Sequence, residues 1–488
     1  MKRFLWLGFV LLLHLICTGC GDTFRPIIIP NPPTFPNPAA AHSVVAISDN
    51  GTTVAGSVMV IDVSGDSIAS VADCTTPLCI GIAPVHAVQQ AAGQALVVNQ
   101  SGSLSKVNFS SITSINSTTT ITLPANSAPN FVAVAPNQTT AYVTLPNYVP
   151  DPVNFPDDDA VAVVNTQSNT VLLPVITVGK NPVALAVTPD NTKLYVANYG
   201  PLCGNPPTPC FSVSAFNTVD RSARTITGSV SSSPIWLAAR SDSQAVYVLE
   251  QSGKLAYINI TSTSGPDPLT ESTISVPNAT TMIYDGNKNR LYIPGGQQMA
   301  IVDVAQSPPQ YLTGGPIPTC DLAPKSTNCI PTAATSSRAA SDPCSLTSAQ
   351  TLTVVAVAAL PDASRAYVGA YYEDSNNNIC PQVTVIDAKS NITETPSIAI
   401  PGFPDATIQN LPNGLPDPNY VPVCVNNRFR FMMAAGGDSS RAYLSSCDGG
   451  DVHIIDTSND TYNGSLSAPP GARVNNPPQN PVFLFAGP

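Results

Sequence analysis

The sequence predicts an all-β chain, built of four-stranded antiparallel units closed into a ring. Three observations predict it. First, one phrase recurs along the 488 residues. NPVALAVTPDNTKLYVAN (Asn181–Asn198) returns as NFVAVAPNQTTAYVTLPN (Asn130–Asn147), IWLAARSDSQAVYVLEQ (Ile235–Gln251) and TMIYDGNKNRLYIPGG (Thr281–Gly296). It returns again as VVAVAALPDASRAYVGA (Val354–Ala370) and FRFMMAAGGDSSRAYLSS (Phe429–Ser446), with a weaker copy, VHAVQQAAGQALVVNQ (Val85–Gln100). Second, the period of roughly 40–50 residues is that of stacked units that cannot bury their apolar faces alone. Third, each copy reads as four strands separated by turns, which is the blade of a β-propeller.

Within a copy, the first strand is apolar and rich in Ala and Val. The turn that follows carries Asp, Asn, Gly, Ser or Gln, residues that bend a chain at low cost. The second strand is Leu or a small residue, then Tyr, then Val, a pattern suited to a pleated, half-buried surface. The third strand ends in Asp or Asn eight times: Asp62, Asn108, Asn165, Asn217, Asn259, Asp303, Asp387 and Asp456. A looser fourth run follows, such as TVLLPVITV (Thr170–Val178). Asp and Asn at strand ends cap turns by accepting nearby backbone N–H groups, so this recurrent carboxylate or amide is expected to be structural.

The Pro-Asp turn, the Tyr-Val strand and the Val-Ile-Asp strand end resemble the YVTN-type propeller repeats of bacterial and archaeal surface proteins and lactonase-like propellers. The resemblance spans about residues 43–488. It implies a fold and leaves activity open, because the matched residues build blades rather than sites.

The first copy supplies three strands, Ser43–Ser48, Thr52–Val63 and Ser67–Val71, where the others supply four. PVFLFAGP at Pro481–Pro488 has the pattern of PVALAVTP at Pro182–Pro189. A C-terminal strand added to the N-terminal blade closes the ring and leaves no open edge. Eight blades are therefore expected, with seven as the alternative. Ala305–Ser348 and Gly402–Asn427 are expected as loop-like insertions.

The chain opens MKRFLWLGFVLLLHLICTGCGD, with Lys2 and Arg3 before an apolar stretch, Phe4–Ile16. That stretch is short for a bilayer span and reads as a signal peptide over residues 1–19. Thr18-Gly19-Cys20 resembles the lipobox of bacterial lipoproteins, in which the cysteine is lipidated; Cys17 departs from the usual leucine. Residues 20–42 then form a lipid anchor and proline-rich linker, extended at about 3.1 Å per residue. The propeller, residues 43–488, is expected as a monomer at the bacterial cell envelope, facing the periplasm or the exterior and attached to the membrane by its lipid.

Ten cysteines remain after Cys17 and Cys20. An even number in an exported chain points to disulfides. Neighbours in sequence give Cys74–Cys79, Cys203–Cys210, Cys320–Cys329, Cys344–Cys380 and Cys424–Cys447. The last two are expected to tie the segment before a blade's first strand to the turn after its second. With no CxxC pair, and only His42, His86 and His453 beyond the signal, no metal and no cofactor are expected.

Charged residues make up 10% of the chain, against about 25% in ordinary proteins. The net charge is −11, which argues against nucleic acid, whose binding needs clustered Lys and Arg. Asp157-Asp158-Asp159 and Glu373–Asn378 are acidic or amide-rich, but their spacing matches no calcium loop, and solvated turns are expected. Nucleophile elbows, phosphate loops and zinc helices are absent from the sequence.

The candidate ligand-binding residues are His86, Trp236, Arg240, Arg428, Arg430, Tyr371 and Tyr372. His86 opens a first strand and faces the channel, whereas His453 is flanked by Val452 and Ile454 and reads as packed. Tyr371-Tyr372 and Trp236 are expected near blade ends, where aromatic faces suit glycan or peptide capture. The expected function is non-enzymatic: a propeller that binds a protein, peptide or glycan through its loop faces. The alternative is a lactonase-like hydrolase at the channel mouth, which needs an acid or a histidine and an arginine at one mouth; Arg240, Arg428, Arg430 and Asp285, near first strands, are the candidates.

Overall fold

The computed structural model describes residues 43–487 apart from 76–77, 92, 112–113, 261–264, 321–327, 332–337, 340, 345–350, 412, 419 and 474. The signal segment, Cys20, His42 and the whole proline-rich stretch therefore lie outside the described residues.

Eight antiparallel sheets of four main strands each follow one another around a ring. Their innermost strands are Asn480–Ala486 in blade 1, Pro84–Ala91 in blade 2, Val132–Val134 in blade 3 and Pro182–Val187 in blade 4. Pro234–Ala239, Ile283–Asp285, Thr353–Ala359 and Phe431–Ala435 are the innermost strands of blades 5 to 8. Each packs against the innermost strand of the next blade, and that of blade 8 packs against that of blade 1. The chain enters every blade from the same face, so the starts of all eight inner strands gather at one end of the channel.

The ring closes as the tail pattern predicts. Asn480–Ala486 pairs with Ser43–Asp49, with Leu484 opposite Ala46 and Phe485 opposite Val45. Val482 and Leu484 are buried, and Phe483 and Phe485 are half-buried against the packing between blades 1 and 2. The second strand contributed by the N-terminal copy is shorter than expected, Ser57–Asp62, with residues 52–56 in a turn and a bridge. In the insertion of blade 6, the outer strand is broken into Gln310–Tyr311 and Ile317–Cys320.

The second-strand tyrosine links blades. Tyr195, Tyr247, Tyr292, Tyr367 and Tyr443 are fully buried. The Tyr195 hydroxyl donates to Asp267 of blade 5 at 2.8 Å, and the Tyr247 hydroxyl to the Val304 carbonyl of blade 6 at 3.2 Å. The Tyr367 hydroxyl donates to Asp460 of blade 8. In these three a flat ring fills the space between two twisted sheets and its polar tip finds an acceptor on the neighbour; the buried Tyr292 and Tyr443 hydroxyls have none among the described residues.

The turns follow the expected chemistry. Asn137, Asp190, Asp242, Asp362 and Asp438 each accept the backbone N–H two residues on, just after the first strand. Asp62, Asp303, Asp387 and Asp456 do the same after the third strand. The recurrent acidic position thus closes turns. Asp374 acts alike, accepting from Asn376 N and Asn378 N, whereas Asp157 accepts at 3.0 Å from Gly204 N in a separate loop. Asp159 is buried in an ion pair with Lys180.

All five expected disulfides form. Cys447 lies just after the second strand of blade 8, as expected. Cys380 does not lie in a turn: the second strand of blade 7 extends to Glu373, and Cys380 sits inside the third strand, Asn378–Asp387. The disulfides mark an extracytoplasmic protein. Among the described residues, no helix is long and apolar enough to cross a membrane.

Candidate functional site

Strand register gives each blade one equivalent position near the start of its inner strand. Ala184 faces Ala197, Trp236 faces Leu249, His86 faces Val98 and Ala356 faces Gly369. In each of these four strands a β-bulge lies just before that residue, and a bulge re-aims the side chain beside it. Phe131 holds the same place in blade 3, accepting from Thr144 N, and Phe483 in blade 1, opposite Ile47. Blades 1, 2, 3 and 5 thus put a ring at a position that blades 4 and 7 fill with alanine.

These rings meet. His86 stacks on Phe131 with centroids 3.9 Å apart, and Phe483 lies 4.7 Å from His86. Trp236 meets Phe131 edge-on at 5.5 Å. The His86 contacts join adjacent blades, whereas the contact of Trp236 with Phe131 passes over blade 4.

Arg428 completes the cluster from blade 8. It lies in a one-turn helix, Asn427–Arg430, whose cap is the Asn426 side chain accepting from Arg428 N. Its guanidinium lies 4.9 Å from the Trp236 centroid, 5.3 Å from Phe429 and 5.7 Å from Phe131. The Cys424–Cys447 disulfide and the Cys447 N–H bond to the Arg430 carbonyl hold this turn against blade 8.

The electrostatics are uncompensated. Nη2 of Arg428 is buried and makes no hydrogen bond, although the residue as a whole is half-buried. Burial pushes its pKa down to about 10. Cation–π contact offsets part of that cost, but no described carboxylate pairs with it. Burial, and then the Arg428 charge, hold the His86 imidazole well below its usual pKa, so it is neutral. His86 Nδ1 accepts from Val132 N at 3.4 Å, which leaves the proton on Nε2.

His86, Trp236 and Arg428 are therefore brought together, and the other candidates are not. Arg430 is buried between Asp405 at 2.7 Å and Asp448 at 2.8 Å, and packs on the Tyr371 ring. Burial opposes its charge, but Asp448, Tyr371 and Asp405 raise its pKa. Asp448 is pushed up to about 6 by burial, against the pull of Arg430.

The exposure expected of Tyr371 and Tyr372 is not found: they are 8% and 2% exposed. They lie inside the long second strand of blade 7, where Tyr371 packs against Phe431 and Arg430. The Tyr371 hydroxyl donates to Asn427 Oδ1 at 3.0 Å, and Tyr372 packs under Arg338. Arg240 pairs with Asp242 at 2.8 Å and donates to the Val304 carbonyl.

Arg240 and Asp285 stand at the far ends of their inner strands, the opposite face from Arg428 and Arg430, so the four do not assemble. His453 is buried, with Nε2 at 2.9 Å from Ser446 Oγ, and burial lowers its pKa to about 4. Among the described residues, no group of three or more His, Cys, Asp or Glu side chains is arranged to hold a metal ion.

Phe131, Phe429 and Phe483 belong to the cluster without having been read from the sequence as site residues. The signal was present: aligned on the turn, NFVAVAP, PIWLAAR and PVFLFAGP each carry an aromatic where PVALAVTP carries Ala184.

Fold and site together define an eight-bladed β-propeller with a guanidinium–aromatic cluster across one channel mouth. No family model matches the chain, and no curated protein matches it in sequence. Among solved structures, it is similar to AztD from Citrobacter koseri, at 10% identity and a TM-score of 0.52, over 91% of this chain and 98% of that one. It is also similar to the dihydro-heme d1 dehydrogenase NirN in complex with DHE, at 11% identity and a TM-score of 0.53, over 91% of this chain and 75% of that one. Both are β-propeller-type proteins, and the likeness is one of fold.

Proposed function

We propose that this protein is a non-enzymatic binding propeller of the bacterial cell envelope, tethered to the membrane through a lipid on Cys20. It captures its ligand, a protein, peptide or glycan, on the loop face around the channel mouth where the inner strands begin. The observation that carries this reading is the Arg428 cluster. A partly buried cation without a counter-ion carries a desolvation cost, and aromatic side chains and arginine are enriched where binding energy concentrates. NirN, a propeller of similar fold, binds DHE, which agrees with a ligand-binding use of the architecture.

The test is capture from solubilised envelope, using the whole chain and two variants. Arg428→Ala combined with Trp236→Ala removes the mouth; Arg240→Ala alters the opposite face. Loss of the captured ligand with the first and retention with the second supports the reading. Retention with the mouth variant overturns it. The anchor is tested separately with Cys20→Ser: membrane partition should be lost, and equal partition of both chains refutes the lipid.

A further inference from the structure

Resting on that binding reading, we infer that the mouth takes a carboxylate attached to a flat apolar ring. Arg428 is the group that pairs with the carboxylate, and Trp236 with Phe131 is the surface that receives the ring.

Three features of the site converge on this chemistry. The first is an unmet demand for negative charge. Several described arginines at the ends of the blades have acceptors: Arg430 pairs with Asp405 and Asp448, Arg365 with Asp460 and Arg441 with Asp66, and Arg290 donates to the Ala388 carbonyl and Asn391 Oδ1. Arg428 differs. Its Nη2 is buried with no acceptor, and three aromatic rings surround it. The planar fork of a guanidinium matches a carboxylate in a bidentate pair. In a site of low polarity, such a pair is much stronger than in water.

The second feature is the shape of the surroundings. An inorganic anion needs several donors, whereas this cluster offers ring faces and edges beside the cation. Trp236 meets Phe131 edge-on, the arrangement that leaves part of a ring face for a third aromatic. A ligand with only a charge would leave that surface wet; one with only a ring would leave the cation unpaired. The third feature is His86. Being neutral, with Nδ1 occupied by the Val132 N–H, it adds no second positive charge and keeps an Nε2–H donor in the same cluster.

Two sources carry this chemistry: a free aromatic acid, and the C-terminal aromatic residue of a peptide. Trp236 reports on both. It is one of two tryptophans in the chain, the other being Trp6, so a Trp6→Phe background isolates it. The whole chain, in detergent, is titrated with N-acetylphenylalanine and with N-acetylphenylalaninamide. A pentapeptide ending in phenylalanine, with a free or an amidated C-terminus, forms the second arm.

Expected is saturable quenching or a spectral shift of Trp236 with at least one acid, and affinity lower by about tenfold or more for its amide. Arg428→Gln should remove the preference for acid over amide, and Arg428→Lys should restore part of it. Tighter binding of the peptide acid assigns the peptide source, and tighter binding of the small acid assigns the free one. Equal binding of acid and amide, an unchanged preference in Arg428→Gln, or no binding of any probe overturns the inference. If the probes fail while envelope capture still depends on the mouth, the ligand class falls and the binding reading stands. If capture ignores the mouth, the binding reading itself falls.

Discussion

The Arg428 guanidinium lies 4.9 Å from the centre of the Trp236 ring, although blades 8 and 5 are three steps apart around the ring. The two side chains meet because Arg428 sits on a turn that leans over the channel and Trp236 sits beside a bulge that faces it. Trp236 lies in the first strand of its copy of the repeat phrase, and Arg428 lies just before the copy of blade 8. Their contact brings a charge into an aromatic setting with no counter-ion, which costs stability and leaves a place for an anion.

That cost sets the first prediction. Arg428→Met keeps much of the side-chain volume and removes the charge. The variant should unfold at a temperature equal to or above that of the wild type, with a gain of up to about 1–2 kcal/mol. The half-exposure of the residue keeps the gain below a full desolvation term. Thermal unfolding monitored by circular dichroism checks it. A clear destabilisation would mean that the guanidinium is satisfied in the free protein.

Asp448 supplies a pH prediction. Burial lifts its pKa to about 6 from an ordinary 3.8. Between those values the folded chain binds more protons than the unfolded one, so this group's contribution to stability falls as pH rises through that window. Asp448→Asn lacks the effect and keeps an acceptor for Arg430. The difference in stability, variant minus wild type, should therefore grow from pH 4 to about pH 6.5 and then level off. Its full size should be on the order of 2–3 kcal/mol. Denaturant unfolding at a series of pH values measures it, and a flat difference refutes it.

Closure of the ring rests on the last strand. Leu484 is 3% exposed and packs among Val44, Met59 and Tyr443, between blades 1 and 8. Leu484→Ala should cost about 2–5 kcal/mol. Val153, 86% exposed in a loop of blade 3, serves as the control, and Val153→Ala should stay within about 0.5 kcal/mol of wild type. Deleting residues 481–488 should lower the melting temperature further and promote aggregation through the bared edge of Ser43–Asp49. Light scattering during a melt reads both outcomes.

Among the disulfides, Cys344–Cys380 closes the longest loop, 36 residues against 5 for Cys74–Cys79. A longer loop removes more freedom from the unfolded chain. Replacing the pair Cys344 and Cys380 by alanine should therefore cost more than replacing Cys74 and Cys79, within about 2–4 kcal/mol for the former. Cys424–Cys447 should differ in kind. Its loss should disturb Trp236 fluorescence at temperatures where the fold is intact, because it holds the turn that carries Arg428.

The blades were legible in the sequence because a blade is a local object. Its strands are consecutive, its turns are closed by Asp or Asn reaching two residues ahead, and its register follows from alternating apolar residues. Asp190 and Tyr195 announce themselves within one copy of the repeat, and Pro481–Pro488 announces closure by copying Pro182–Pro189. The disulfide pairs were legible for the same reason, since each joins near neighbours in the chain.

The site was legible only in part. His86, Trp236 and Arg428 were named from their chemistry, alongside Arg240, Arg430, Tyr371 and Tyr372, whose chemistry is equally suitable. Tertiary structure separated the two groups. Arg240 pairs with Asp242 two residues on, Arg430 found carboxylates at Asp405 and Asp448, and the tyrosines are packed against Phe431, Arg430 and Arg338. Phe131, Phe429 and Phe483 joined the cluster from three different blades. Sequence alone determined how each blade is made, because those interactions span a few residues. Which side chains share the channel mouth was decided by the closing of the ring, which brings residues hundreds of positions apart within a few ångströms.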